Sequence, residues 1–133
     1  MTYALDTNII SYMMKENETV KNNHLTAVKN GGTCVIPLIA YYEIKRGLVA
    51  KNATTKMRIF ENLCNKIKII NLTKNDMNTA ALIYANCKKT GNPIEDADLL
   101  IAAQCITNNY VLITANTKHF DGVDGLPLVD WTK

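Results

Sequence analysis

Short β-prone runs recur along this chain with helical segments between them, and that alternation restricts the fold more than any other feature. "TYAL" runs into Asp6, "TCVIP" leaves through Pro37, "IKIINL" comes third and "YVLIT" lies near the end. A turn-rich tail, "FDGVDGLPLVDW", holds one more short run at "LPLV". Strands separated by helices line up in parallel with helices on both faces. The expectation is an α/β fold in which residues 1–133 form one three-layer domain, with a mostly parallel sheet of four or five strands.

The intervening segments carry helical punctuation. "NIISYMM" has helical character, and the segment through "NNHLTAVKN" is closed by Gly31 and Gly32. "LIAYYEIKRGLVA" reads as a helix carrying Glu43, and "TTKMRIFENLCNK" repeats apolar Met57, Phe60 and Leu63 or Cys64 at helical spacing. "TKNDMNTAALIYANCKKTG" opens with Thr73 as N-cap before Asp76 and stops at Gly91. In "NPIEDADLLIAAQCITNN", Asn92 is the expected N-cap, Pro93 the first helical residue and Glu95 its capping partner. Gly47 costs a helix interior about 1 kcal/mol relative to Ala, so a second backbone is expected to pass close to it.

Composition excludes several classes of function. A hydrophobic fraction of 47% over 133 residues suits a single core. The start lacks the basic and apolar regions of a signal peptide, and "CVIPLIAYYEI" is too short to span a bilayer, so a soluble cytoplasmic protein without membrane contact is expected. Cys34, Cys64, Cys87 and Cys105 are scattered among apolar neighbours without CxxC spacing, which reads as buried thiols rather than a zinc site. His24 and His119 stand alone and receive no ligand role. The formal charge of +3 permits a polyanionic partner without requiring one.

The acids are the informative residues. Asp6 follows the first strand and therefore lies at the carboxyl edge of the sheet, where α/β folds bind ligands. Glu43 sits about two turns into the helix after the second strand, beside Ile39, Ala40, Arg46 and Gly47. Asp98 shares a stripe with Ile101, Ala102 and Cys105, which turns it toward the core. Asp96 and Asp98 stand about 200° apart around a helix and cannot face one point. Carboxylates that converge in a half-buried cleft repel one another, and protons or a cation must relieve them. Oxygen donors without thiolate or imidazole suit Mg²⁺, with Mn²⁺ able to substitute.

At this point the chain resembles the PIN-domain nucleases, and within them the VapC-type toxins of type II toxin–antitoxin pairs. The resemblance rests on "LDTNII", "YYEIKRGL", "IEDADLLIAAQC", "VLITANTKHF" and "GLPLVDW", in that order over essentially the whole chain. It implies a PIN-like fold and a Mg²⁺-dependent endoribonuclease that cleaves RNA phosphodiester bonds by metal-activated water. Asp6, Glu43 and Asp98 fall on the family's acidic metal-site positions. Thr7 and Asn8 match residues supporting the first aspartate, and Thr114 matches the hydroxyl position after the last strand. Many PIN proteins carry a fourth acid two residues beyond that threonine, where this chain has Asn116; Asp96 is a candidate substitute. The partners implied are a cognate VapB-type antitoxin that places a basic residue near the acids, and a second copy in a homodimer, through "TKMRIFENL" or "NIISYMM".

RNA phosphates meeting an acidic cleft need cations along its rim. Candidates are Lys45 and Arg46 beside Glu43, then Lys51, Lys56 and Arg58, and Lys118 near the last strand, with Tyr41 or Tyr42 available for stacking. An aspartyl-phosphate phosphatase would want a second aspartate where Asn8 stands, and a receiver domain would want a lysine where Ala115 follows "VLIT". The remaining alternative is a catalytically silent PIN-like module that binds RNA or protein, which need not retain Asp6, Glu43 and Asp98 together.

Overall fold

In the computed structural model, which describes residues 1–133, strand β1 (Thr2–Leu5) occupies the middle of a five-stranded sheet. The strand β2 (Thr33–Pro37) pairs along one side of it and β4 (Val111–Ile113) along the other. Outside them lie β3 (Lys68–Ile70) and β5 (Leu128–Val129), giving the order β3-β2-β1-β4-β5, with every pairing parallel. Strand order reverses between β1 and β4. Leu5 stands opposite Ile113 there, so the residues that follow, Asp6 and Thr114, emerge side by side.

Six helices make the crossovers: α1 (Thr7–Met14), α2 (Glu18–Lys29), α3 (Leu38–Ala50), α4 (Thr54–Lys66), α5 (Lys74–Thr90) and α6 (Asp96–Asn108). A short 3₁₀ turn, Thr117–Phe120, leads from β4 toward β5. Strand residues Leu5, Ile36, Leu112 and Ile113 are fully buried together with Ile9, Phe60 and Ile101 from the helices. Such residues are near-continuously apolar because a parallel sheet is covered on both faces. The tail returns to this core, with Trp131 buried and its ring 5.6 Å from that of Tyr3.

The punctuation of α5 is as expected. Thr73 and Asp76 form a reciprocal capping box, and Gly91 closes the helix at a φ of 73°. The start of α6 is not. The helix begins at Asp96, and its N-cap residue Glu95 is extended with no capping bond from its side chain. Two contacts explain this. The Asn92 side chain is turned back instead, its amide donating to Thr90 Oγ1 at 3.1 Å. The Asn92 side chain also lies where a Cβ on Gly122 would sit 2.6 Å away, so the lead-in is pressed against that glycine.

Gly47 requires a second correction. No atom lies within 4 Å of where its Cβ would be, so no backbone passes close to it. Cys34, Cys87 and Cys105 are buried, Cys64 is half-buried, and all four are free. Burial pushes the thiol of Cys34 up to about 11 and that of Cys105 up to about 12, which keeps both protonated at neutral pH. No helix is long and apolar enough to cross a membrane.

Because the space beside Gly47 is open, Gly47→Ala removes a helix penalty without a clash. Urea unfolding of the variant is expected to show a stability gain of about 0.5–1 kcal/mol. A loss would mean that the glycine serves backbone packing after all.

Candidate functional site

Asp6 is both the N-cap of α1 and the organiser of the strand-order reversal. Its backbone N–H donates to the Ile113 carbonyl at 2.9 Å, extending the β1–β4 ladder by one residue. Its side chain is only 4% exposed and accepts three hydrogen bonds. The Thr7 N–H donates to Oδ1 at 2.8 Å, the Thr114 hydroxyl to Oδ2 at 2.8 Å, and the Asn8 amide to Oδ2 at 3.3 Å. Asn8 in turn accepts from the Ala115 N–H at 2.9 Å, and Thr114 Oγ1 accepts from the Asn116 N–H at 3.0 Å. These bonds join two stretches more than one hundred residues apart in sequence. They hold a buried carboxylate in one orientation at the carboxyl edge of the sheet.

Glu43 reaches the same edge from α3. Its Oε1 accepts from the Thr7 hydroxyl at 2.8 Å, which ties α3 to the first turn of α1, and its Oε2 lies 3.7 Å from Arg46. Asp98 arrives from the first turn of α6, half-buried. Burial pushes its pKa up; Asp6 and Glu43 add to the rise, while His119 opposes it. Thus Asp98 feels both other acids, as convergence requires. The three do not close into a finished ligand set, however: no three Asp, Glu, His or Cys side chains are arranged to hold an ion directly. The three acids stand in an open arrangement. The Thr7 hydroxyl and Arg46 hold the Glu43 carboxylate, and His119 holds that of Asp98. The donor chemistry still fits a hard cation that keeps much of its water, since such an ion takes one or two carboxylates directly and others through water.

The remaining candidates divide. Thr7, Asn8 and Thr114 belong to the network around Asp6. Asn116 contributes its backbone N–H, while its side chain is exposed and makes no hydrogen bond. Asp96 is exposed at the first position of α6 and has neither a hydrogen bond nor an ion pair. Lys45 is drawn to Glu61 on α4 at 3.8 Å, on a different face of α3 from Glu43. Arg46 stays at the acids and stacks on exposed Tyr42 at 5.1 Å, whereas Tyr41 packs against Phe60. Lys118 is exposed on the 3₁₀ turn. His119, given no role from sequence, places Nδ1 3.3 Å from Asp98 Oδ2. The readable signal was its place in "TKHF", just beyond the strand that supplies Thr114.

The PIN domain family model matches residues 3–126. The chain belongs to the PIN-domain family. Within it the similarity runs to the VapC branch: Ribonuclease VapC1 of Haemophilus influenzae (strain R2866) is 31% identical over 134 residues, with both chains covered in full. Among solved structures, VapBC2 from Rickettsia felis, bound to a DNA fragment from its promoter, superposes with a TM-score of 0.92 at 28% identity, covering 98% of this chain and 99% of that one. VapBC-1 from nontypeable Haemophilus influenzae superposes at 0.88 with 31% identity over the whole of both chains. The expected α/β PIN fold is therefore the observed one, with the sheet wholly rather than mostly parallel.

The Asp98 environment of this PIN domain sets a pH dependence. A carboxyl group raised in the folded state stabilises the fold fully only below its unfolded value near 3.8, and that contribution is lost as pH rises through the folded value. Metal-free Asp98→Asn is accordingly expected to unfold at a higher denaturant concentration than the parent at about pH 7, with the advantage shrinking toward about pH 4. A gain that grows on acidification would contradict the burial and repulsion assigned to Asp98.

Proposed function

We propose that this PIN domain is the ribonuclease toxin of a VapBC-type pair, an endoribonuclease that needs Mg²⁺ and accepts Mn²⁺. One observation carries the reading: Asp6 and Glu43 share Thr7 as a hydrogen-bond donor at the strand-order reversal, and Asp98, from a third crossover, lies near enough to feel both. The name of the full-length Haemophilus relative and the VapBC neighbours support it. Asp6 and Asp98 would hold the ion, with Glu43 bound to it through water. A bound Mg²⁺ would supply charge to stabilise a phosphodiester under attack and would lower the pKa of the attacking water.

The chain's own residues do the rest. Thr114, Asn8 and the Thr7 N–H hold the Asp6 carboxylate in one orientation. The Thr7 hydroxyl keeps Glu43 at the cleft, where its carboxylate is placed to take a proton from water. Arg46 offers a guanidinium beside the acids for a substrate phosphate. A VapB-type antitoxin is the inhibitor in this reading, because a basic side chain entering the cleft would neutralise the same carboxylates that recruit the cation.

The test is cleavage of a defined RNA by the isolated chain. Activity is expected with Mg²⁺ or Mn²⁺, to vanish in EDTA, and to fall at least about a hundredfold in Asp98→Asn. Cleavage that survives EDTA or the substitution would overturn the mechanism, and RNA binding without cleavage under every condition would favour a silent binding module.

A further inference from the structure

Beside Glu43 the cleft continues into a groove of about 430 Å³ between α1, α3 and α4. Its floor is aliphatic, with Ile44 and Leu48 from α3, Met14 from α1 and Ile59 from α4. Around it stand Lys15, Lys51 and Lys56, all exposed, and none of the three is in an ion pair. Glu43, at the end shared with the acidic cleft, is the only acid among the lining residues. Gly47 lies on the wall with open space where a side chain would be, so the glycine enlarges the groove instead of admitting another backbone.

We propose that this groove is a substrate subsite for one nucleotide next to the phosphodiester that is cut, an inference that rests on the ribonuclease reading. Three exposed ammonium groups around one hollow offer charge to an anion, and an aliphatic floor is wet until an apolar surface covers it. A nucleotide satisfies both demands. Single-stranded RNA presents unstacked bases whose faces pack on apolar side chains, and lysine binds phosphate as a point charge. The volume falls within the range of about 300–1,000 Å³ typical of small-ligand sites. Continuity with Glu43 sets the direction, since a strand whose base sits in the groove has its next phosphate at the carboxylates. A protein helix would also cover the apolar floor, but three lysines against a single acid favour a polyanion.

The experiment uses the full chain in EDTA, so that RNA is bound without being cut. Binding of a fluorescein-labelled single-stranded RNA of about a dozen nucleotides is followed by anisotropy over a range of salt. The variants are Gly47→Leu, which fills the groove, and the triple variant Lys15→Gln, Lys51→Gln, Lys56→Gln. Each is expected to weaken binding about tenfold. The triple variant should also flatten the log–log salt slope by about 2, while Gly47→Leu leaves the slope unchanged. Thermal unfolding checks that both variants fold, and Gly47→Ala serves as a smaller filler should leucine disturb α3. Wild-type affinity and slope in the folded variants, with the parent chain still cutting that RNA in Mg²⁺, would overturn the subsite alone. Absence of both binding and cleavage by the parent would overturn the ribonuclease reading and the subsite with it. Variants that bind RNA normally but no longer copurify with a coexpressed antitoxin would give the groove to a protein and overturn the proposal.

Discussion

A carboxylate kept out of water at the end of the central strand is the constraint around which the site of this molecule is arranged. Asp6 is 4% exposed, and an uncompensated charge in that position would cost the fold several kcal/mol. The Thr7 N–H, the Thr114 hydroxyl and the Asn8 amide provide the compensation. Because those donors come from two neighbouring strand ends, the same bonds that satisfy Asp6 also lock the region where β1 and β4 meet. The topology therefore does more than bring residues near each other: it makes a charged group at the strand-order reversal tolerable.

The other acids are added to that anchor by opposite means. Glu43 is bonded to it indirectly, through the Thr7 hydroxyl, so α1 and α3 share one polar junction. Asp98 has no such link. It is half-buried, it is repelled by Asp6 and Glu43, and it leans on His119. A site in which one acid is fully satisfied, one is tethered and one is under strain resembles an arrangement waiting for positive charge. In the proposed reading, a cation and an inhibitor's basic side chain would both be drawn to it.

Much of this was legible in the sequence because the signals were local. Short β-prone runs announced the strands, and Thr73, Asp76 and Gly91 gave the ends of α5. Asp6, Glu43 and Asp98 could be placed at one sheet edge from topology and helical phase alone. What could not be read depended on contacts between distant segments. Asn92 fails to cap α6 because Thr90 and Gly122 hold it elsewhere. Gly47 was misjudged because its open surroundings belong to α1 and α4, not to its own helix. His119 reaches Asp98 only because the 3₁₀ turn after β4 folds over the start of α6. Lys45 pairs with Glu61 on the next helix, a contact that its own segment does not reveal.

Mn²⁺ binding to the isolated chain tests most directly whether the three acids act as one cation site. Followed by electron paramagnetic resonance, Mn²⁺ is expected to bind the parent chain saturably, with affinity falling at least about tenfold in Asp6→Asn and in Asp98→Asn. A less severe loss is expected in Glu43→Gln, whose oxygen would act through water. Equal Mn²⁺ binding by the parent and both aspartate variants would contradict the claim.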